Sequence, residues 1–214
     1  MSCFPVILSS PSGGGKTTIA KELLRRRGDL GYSVSCTTRP PREGEMEGRD
    51  YYFLAPDEFD AARARGELAE SAEVHGYLYG TLKREVARVL ESGRHVVMDI
   101  DVQGARQLRD VYPDSVLVFV IPPDAGVLMK RLTARGTENR QSMTRRISSA
   151  VAELRAMGSY SYVVVNADLE RAVNSVSAII DAESARPFRI DGINERVQRM
   201  VDDLERELEK MNRS

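Results

Sequence analysis

A run of aliphatic residues at positions 6–8 leads directly into a glycine-rich segment at positions 10–17. A short apolar run that ends at glycines is typical of a buried strand followed by a tight loop. Ile19, Leu23 and Leu24 then recur at helical spacing, which predicts an amphipathic helix over residues 17–27. A strand, a glycine loop and a helix in this order favour a fold in which a loop closes around an anion at the start of a helix.

The loop nearly matches the phosphate-binding motif G-x-x-x-x-G-K-[ST], with Ser10 in place of the first glycine. Glycines allow successive backbone N–H groups to point inward around a phosphate. Lys16 is expected to reach the outer phosphates of a nucleotide, and the Thr17 hydroxyl is expected to ligate Mg²⁺. The residues predicted to bind the phosphates of ATP are Ser12, Gly13, Gly14, Gly15, Lys16, Thr17 and Thr18.

Three further apolar runs, at residues 96–101, 116–121 and 162–165, are predicted as strands. Helical patterns lie between and after them, near residues 104–110, 126–134, 141–157 and 169–182. Uninterrupted apolar strands separated by helices predict an α/β fold with a parallel sheet covered by helices on both faces. Asp99 lies in the run at 96–101, where a carboxylate would hold Mg²⁺ through water, although it could instead cap a helix or make a structural hydrogen bond.

Charge and cysteine content exclude several other classes of protein. The 31 basic and 32 acidic residues give a net charge of −1, which argues against nucleic acid or a membrane surface as the partner. No apolar run approaches the length of roughly 18–20 residues that a membrane helix needs, and no signal peptide is recognised. Cys3 and Cys36 do not form a disulfide framework. A cytoplasmic globular protein is therefore expected.

A second anion site is indicated by residues 35–53, where Arg39 and Arg42 lie three apart beside prolines and a tyrosine follows. Fixed guanidinium groups suit a phosphate because they donate hydrogen bonds in pairs. Since the loop at 10–17 takes the phosphates of the donor, this phosphate would belong to the acceptor.

At this point the chain resembles the guanylate kinases, which make GDP from GMP and ATP. The matching stretches are SSPSGGGKTT at 9–18, SVSCTTRPPREGE at 33–45, GRDYYF at 48–53, the glutamate and YGT at 70–81, DIDVQG at 99–104 and RLTARGTE at 131–138. They span residues 5 to about 183. The resemblance implies a Mg²⁺-dependent reaction in which ATP and GMP are the substrates, within a core that carries a GMP-binding insertion and a lid.

The resemblance also implies roles for individual residues. The GMP-binding residues would be Ser35, Arg39, Arg42, Tyr51, Glu70, Tyr79, Gly80, Thr81 and Asp101, with the arginines and tyrosines on the phosphate. A carboxylate such as Glu70 accepts hydrogen bonds from both the ring N–H and the amino group of guanine, which adenine cannot offer. Lid arginines would lie at Arg131, Arg135 and Arg146, and Asn166 is similar to a family position near the nucleotide.

The residues expected to be catalytic are Lys16, Arg39, Arg135 and Arg146. They would position the phosphates and stabilise the charge of the transferring group. Three alternatives stay open at this stage, namely a non-catalytic interaction module, a kinase that acts on a phosphorylated sugar, and a kinase whose tail also makes it an assembly protein. The intact phosphate loop favours an enzyme over the first, and the phosphate-and-guanine constellation disfavours the second.

The sequence divides into a core, two insertions and a tail. The predicted segments are the core at 1–32, 95–125 and 151–185, the GMP-binding insertion at 33–94, the lid at 126–150 and a C-terminal amphipathic helix at 186–214. In the tail, apolar residues recur every three or four positions from Ile193 to Met211. This stripe predicts either a helix packed on its own domain or a short homodimer-forming seam.

Overall fold

A computed structural model describes residues 2–74, 76–133 and 140–213. Its elements follow in the order β1 (Pro5–Ser9), α1 (Lys16–Arg26), β2 (Leu30–Tyr32), β3 (Ser35–Thr37), β4 (Tyr52–Phe53), α2 (Pro56–Ala64), β5 (Leu68–Val74), β6 (Tyr77–Leu82), α3 (Lys83–Glu91), β7 (His95–Asp99), α4 (Val102–Val111), β8 (Val116–Ile121), α5 (Ala125–Thr133), α6 (Arg140–Arg155), β9 (Tyr162–Val165), α7 (Leu169–Ser184) and α8 (Ile193–Arg213). Short 3₁₀ turns lie at Ala156–Ser159 and Pro187–Arg189.

A five-stranded parallel sheet in the order β2-β7-β1-β8-β9 forms the centre of the molecule. The central strand, β1, lies between β7 and β8, and its residue Val6 pairs with Val97 on one side and Val116 on the other. Because all five strands run in the same direction, their carboxyl ends meet at one edge, where open α/β sheets bind ligands. The loop at 10–17 follows β1 at that edge, and Asp99 ends β7 there.

Alternate residues of β1 face the two helix layers. Val6 and Leu8 pack with α1 and α7, in a cluster that includes Leu23 and Val176. Ile7 faces the opposite side and packs with residues of α3 and α4, including Val86 and Leu108. Helices therefore bury both faces of the sheet, which explains why residues 6–8 of β1 are all apolar rather than alternating with polar residues. The predicted parallel sheet with helices on both faces is confirmed.

A second sheet, in the order β4-β3-β6-β5, stands beside the first. Strand β6 is antiparallel to both β3 and β5, while β3 and β4 are parallel. Phe59 of α2 is fully buried against this sheet, together with Cys36 and Leu82. All four strands lie within residues 33–94, the segment expected to be an insertion, and α3, which follows them, packs on the central sheet.

Four of the five strands of the central sheet agree closely with the sequence prediction, whereas β2 and the strands of the second sheet were not predicted. Strands β8 and β9 have the bounds expected, while β7 ends at Asp99 rather than at residue 101. In the second sheet, β3 and β4 are only three and two residues long, and β5 carries glutamate and serine in its centre. Strands this short or this polar give no periodic apolar signal.

The C-terminal helix begins later than expected. Residues 186–192 hold the 3₁₀ turn, and α8 starts at Ile193. Every side chain from Asn194 to Asn212 is exposed, so the helix extends away from the two sheets.

None of the helices in the described part of the chain has the length and apolar character needed to cross a membrane.

One glycine of the central sheet is required by close packing. A Cβ atom at Gly31, in β2, would lie 2.4 Å from Cγ1 of Val89 in α3. We expect Gly31→Ala to lower the free energy of unfolding by about 1–3 kcal/mol, because the added methyl overpacks this contact. The matched control is Gly28→Ala, since a Cβ there meets nothing within 4 Å. Chemical denaturation of the two variants tests the expectation, and equal stabilities would contradict it.

Candidate active site

A cleft of about 640 Å³ lies between the loop at 10–17, the second sheet and α6. It brings together residues from distant parts of the chain. The predicted site residues that line it are Ser12, Gly13, Gly15, Lys16, Thr17, Thr18, Ser35, Tyr51, Glu70, Tyr79, Gly80, Asp99, Asp101 and Arg146. Residues expected on the donor side and residues expected on the acceptor side therefore share one cavity.

The phosphate-binding loop is held in its curved shape by contacts to Asn166. Gly13 and Gly15 adopt positive φ angles of 83° and 98°, which residues with a side chain rarely adopt. The Asn166 side chain donates a hydrogen bond of 2.9 Å to the carbonyl of Gly14. A Cβ atom at Gly15 would lie 2.3 Å from Nδ2 of Asn166, so glycine is required there on two grounds. Asn166 supports the loop from behind, at the end of β9.

Ser10, the departure from the glycine motif, is buried and packs against the same loop. Its hydroxyl donates to the carbonyl of Pro11 at 3.0 Å. A Cβ atom at Gly14 would lie 2.6 Å from Cβ of Ser10 and 3.0 Å from the Pro11 carbonyl oxygen. Ser10 therefore occupies space that a side chain at position 14 would need, and the glycine at 14 compensates for the serine at 10.

Asp99 is bonded on both of its carboxylate oxygens. The Thr17 hydroxyl donates to Oδ2, and the Tyr32 hydroxyl donates to Oδ1 at 2.7 Å. Burial and the Asp99 charge raise the pKa of Tyr32, so its hydroxyl stays protonated and acts as a donor. Of the alternative roles of Asp99, a helix cap is not seen, since Asp101 caps α4 by accepting from the Gly104 amide at 2.8 Å. A structural hydrogen bond is seen in the contacts to Thr17 and Tyr32.

Strand register aligns the polar side chains expected to contact guanine. Ser35 of β3 pairs with Thr81 of β6, and Thr81 pairs in turn with Glu70 of β5. Directly opposite residues on adjacent strands project from the same face of a sheet. The Thr81 hydroxyl donates to Oε1 of Glu70 at 2.7 Å, so Thr81 holds this carboxylate from the side.

Glu70 is almost fully buried and close to the start of α4. A Cβ atom at Gly104 would lie 2.5 Å from Oε2 of Glu70, so only glycine leaves room for the carboxylate. Burial raises the pKa of Glu70 to about 7; the Thr81 hydrogen bond opposes this shift, and the Asp101 charge adds to it. A buried carboxyl whose pKa lies near neutrality in a cleft is typical of a functional site.

Arg39 is fixed by contacts on three sides. Its Nε donates to the Tyr79 hydroxyl at 3.2 Å, and Nη2 donates to Oε1 of Glu45 at 2.8 Å. The guanidinium lies 5.4 Å from the ring centre of Tyr51 and 5.9 Å from that of Phe53, within cation–π range. The result is a rigid cation, 7% exposed, at the edge of the acceptor side of the cleft.

Comparison with known proteins identifies the family of this chain. A family model described as guanylate kinase matches residues 2–183. A curated guanylate kinase of Symbiobacterium thermophilum is 47% identical over 86% of this chain and 87% of its own length, and one of Geobacter metallireducens is 44% identical over 86% and 91%. A crystal structure of guanylate kinase from Anaplasma phagocytophilum superposes with a TM-score of 0.75 at 33% identity, covering 91% and 93% of the two chains. The chain belongs to the guanylate kinase family.

Not every residue expected from the guanylate kinase resemblance lines the cleft. Thr81 is buried and donates a hydrogen bond to Glu70, and Arg39 donates one to Tyr79, which itself lines the cleft. The carbonyl of Gly14 accepts a hydrogen bond from Asn166. The Arg42 side chain is exposed and does not line the cleft. Arg135 lies outside the described residues.

The two remaining lid arginines bind backbone carbonyls. Arg146, on α6, lines the cleft and donates to the carbonyl of Leu132 at 3.0 Å. Arg131, on α5, donates to the carbonyl of Asn166 at 3.0 Å. These bonds connect α5 and α6 to each other and to the strand end behind the phosphate loop.

Three polar contacts of this guanylate kinase site were not anticipated from the sequence. Tyr32 bonds Asp99, Glu45 bonds Arg39, and Oε2 of Glu153 accepts from the Ser12 amide at 3.0 Å. Glu45 and Arg39 both belong to the stretch at 33–45 that matches the family, so their proximity could have been predicted from the sequence. Tyr32 and Glu153 belong to a strand and a helix without any motif, and only the fold brings them to the cleft.

The pairing of Ser10 with Gly14 yields a double-mutant prediction. Gly14→Ala should raise the KM for ATP at least tenfold, because the new methyl collides with Ser10 and displaces the loop. Ser10→Gly with Gly14→Ala should restore most of that loss. Ser10→Gly alone is the control and should remain close to the wild-type protein. The two sites should show a coupling free energy of about 1–3 kcal/mol. If the KM for ATP rises equally in Gly14→Ala and in the double variant, steric compensation between the two positions is contradicted.

Proposed function

We propose that this chain transfers the γ-phosphoryl group of ATP to a phosphate oxygen of GMP, or of dGMP, in a Mg²⁺-dependent reaction that yields ADP and GDP. Its membership of the guanylate kinase family gives the class of reaction. The observation that carries the assignment to this chain is the strand register that aligns Ser35, Thr81 and Glu70, of which Ser35 and Glu70 line the cavity shared with the phosphate loop.

The donor side is supported by the loop and the helix that follows it. Residues 12–18 would bind the phosphates of ATP through backbone amides, assisted by the positive end of the α1 dipole, which opens at Lys16. The Lys16 ammonium would contact the outer phosphates and neutralise charge as the γ-phosphoryl group leaves.

On the acceptor side, a phosphate would bind Arg39, Arg42, Tyr51 and Tyr79. The contacts of Arg39 to Tyr79 and Glu45 keep its guanidinium oriented before the substrate arrives. Little side-chain entropy then remains to be lost on binding, which favours affinity. The exposed Arg42 is free to approach the phosphate from solvent, whereas Arg39 is already in place.

The guanine ring would lie against Glu70, with Ser35, Gly80, Thr81 and Asp101 around it. Ionised Glu70 accepts two hydrogen bonds from the donor edge of guanine, and its burial excludes water from competing. Adenine presents an acceptor nitrogen at that edge and would leave the buried carboxylate unpaired. A site of this kind can discriminate by roughly 10⁴-fold.

The transfer itself needs positioning and charge stabilisation rather than a general base. The attacking oxygen belongs to a phosphate and is already anionic. The Lys16, Arg39, Arg135 and Arg146 cations would balance the charge on the donor, the acceptor and the transferring group. Closure of the 33–94 and 126–150 segments would remove water, the competing acceptor.

The side chains near Thr17 fit a magnesium ion. The Thr17 hydroxyl and the Asp99 carboxylate are in contact, and both supply the oxygen ligands that Mg²⁺ prefers. Within the described residues no group of three or more His, Cys, Asp or Glu side chains could hold a metal by itself. This pattern suits Mg²⁺ held mainly by nucleotide phosphates and water, with Thr17 and Asp99 completing the site. The ion would supply charge neutralisation on the β- and γ-phosphate oxygens.

We assign the reaction to the cytoplasm, with neither nucleic acid nor a membrane as a partner. Cys3 and Cys36 are both free thiols, as expected in a reducing compartment. The balanced charge of −1 provides no excess of basic residues for anionic polymers or lipids.

Base specificity provides the test of this function. ADP formation from Mg·ATP should be strong with GMP and at background with AMP, CMP, UMP or no acceptor. Glu70→Gln should raise the KM for GMP at least a hundredfold and change the KM for ATP little, because an amide cannot accept both guanine donors. Glu73→Gln is the matched control, since Glu73 is an exposed glutamate of the same strand at the cleft. Turnover with every nucleotide, or equal losses for ATP and GMP, would contradict the assignment.

The raised pKa of Glu70 predicts a pH dependence of GMP binding. With a pKa of about 7 in the free protein, Glu70 is mostly ionised at pH 8 and mostly protonated at pH 6. Protonated Glu70 cannot accept both donors, so the KM for GMP should rise toward tenfold per pH unit below pH 7. The GMP phosphate, which titrates near pH 6, affects the wild-type and Glu70→Gln proteins alike. The ratio of their KM values between pH 6 and 8 therefore isolates Glu70, and a constant ratio would contradict this role.

A homodimer through α8 is the second part of the proposal. The helix is about 31 Å long at 1.5 Å per residue, and it lies beyond residue 183, where the family model ends. Its exposed apolar residues at heptad spacing are Val197, Val201, Leu204, Leu208 and Met211, with Met200 beside them. Isolated helices in water derive little stability from propensity alone, so this apolar stripe calls for a packing partner.

The charge pattern of α8 favours a second, antiparallel copy of the same helix. Residues 193–201 carry two arginines and one glutamate, a net charge of +1, while residues 202–213 carry five acids and three bases, a net charge of −2. A parallel pair would align the two acidic halves. An antiparallel pair places unlike halves and opposed helix dipoles together, and it packs Val201 against Leu204 of the partner subunit.

Light scattering tests the dimer. The full chain should show twice the 23.8 kDa mass of one chain. Leu204→Glu with Leu208→Glu should give monomers that keep their kinase turnover, since α8 is remote from the cleft. Arg206→Glu changes the net charge equally on the opposite side of the helix and should leave the dimer intact. A monomeric wild-type protein, or a dimeric Leu204→Glu/Leu208→Glu variant, would overturn the proposal.

A further inference from the structure

The carboxylate of Asp99 is oriented by a tyrosine that belongs to no motif. Tyr32 ends β2, the edge strand of the central sheet, and its hydroxyl donates to Oδ1 of Asp99 at 2.7 Å. The neighbouring strand β7 carries Asp99 at its own end, and Tyr32 pairs with Val97 in that strand. Parallel strand register thus brings the tyrosine hydroxyl to the carboxylate.

The two oxygens of Asp99 have different partners. Thr17 holds Oδ2 from the phosphate loop, while Tyr32 holds Oδ1 from the opposite side. Two donors on separate oxygens fix both the position of the carboxylate and its rotation about the bond to Cβ. Without Tyr32, only the Thr17 bond would remain of these two, and the carboxylate would be able to turn around it.

We propose that Tyr32 is a positioning residue for the divalent metal, acting through Asp99. The inference rests on the proposed role of Asp99 and Thr17 in holding Mg²⁺. Groups that hydrogen-bond to a metal-binding carboxylate orient it, and their loss typically costs 10–100-fold in metal affinity or activity. Tyr32 also lines the cleft and lies three residues before Ser35, the first residue of β3. Its hydrogen bond therefore links the Asp99 carboxylate to the short segment between β2 and β3, where the chain passes from the central sheet to the second sheet.

Tyr32→Phe is the direct test, because it removes the hydroxyl and keeps the ring. The readout is Mn²⁺ affinity, measured by electron paramagnetic resonance on the full chain saturated with ATP. We expect about tenfold weaker Mn²⁺ binding in Tyr32→Phe, an unchanged KM for GMP, and recovery of most of the lost turnover at high metal concentration. Tyr52→Phe is the matched control, since that hydroxyl donates to Glu85 at 3.0 Å and Tyr52 does not line the cleft.

Asp99→Asn separates failure of this inference from failure of the proposed metal site. If Asp99→Asn weakens Mn²⁺ binding and Tyr32→Phe does not, Tyr32 has no positioning role and the metal site stands. If Asp99→Asn leaves Mn²⁺ affinity unchanged, the metal site itself is misassigned and the inference falls with it. Equal losses in Tyr32→Phe and Tyr52→Phe would indicate a general effect of hydroxyl removal and would also overturn the role of Tyr32.

Discussion

The arrangement of the site depends on one buried hydrogen bond, from the Asn166 side chain to the carbonyl of Gly14. A loop that presents its amides to an anion must turn its carbonyls away, and those carbonyls need partners of their own when they are buried. Asn166 provides one from the end of β9, and Arg131 binds the backbone carbonyl of Asn166 itself. The curvature of the loop is thus supported by the end of β9 and by α5.

The division into two sheets separates the two halves of the proposed site. The central parallel sheet presents strand ends, where loop amides, Lys16 and Asp99 lie together and would bind phosphate and metal. The second sheet presents a face, where antiparallel register sets Ser35, Thr81 and Glu70 side by side, as the proposed binding of a planar base requires. Strand ends suit ligands that bind to backbone groups, whereas a sheet face suits a ligand that is recognised by side chains. Gly104 joins the two, because its missing side chain allows Glu70 to approach the start of α4.

Sequence alone predicted the parts of the molecule whose signals are local. The phosphate loop has a fixed spacing and obligatory glycines, and β8 is apolar at all of its positions, so both could be read directly. In the second sheet, β3 and β4 were missed because they are only three and two residues long, and β5 was missed because its polar residues interrupt the apolar alternation that marks a strand. Glu70 was assigned only through the family resemblance. Tyr32 and Glu153 reach the site through tertiary packing, and a single sequence contains no signal for such contacts.

Both proposed anion sites contain a carboxylate that bonds their donors. Glu45 bonds Nη2 of Arg39 and the amide of Arg42, each at 2.8 Å, and Glu153 bonds the amide of Ser12 at 3.0 Å. Donors removed from water need a partner, so these contacts stabilise the cleft. Where a phosphate takes over one of these donors, it replaces a carboxylate rather than water. The gain in free energy is then the difference between two charge-assisted hydrogen bonds. Geometry favours the phosphate in that exchange, because its several oxygens can engage more of the surrounding donors at once than either carboxylate can.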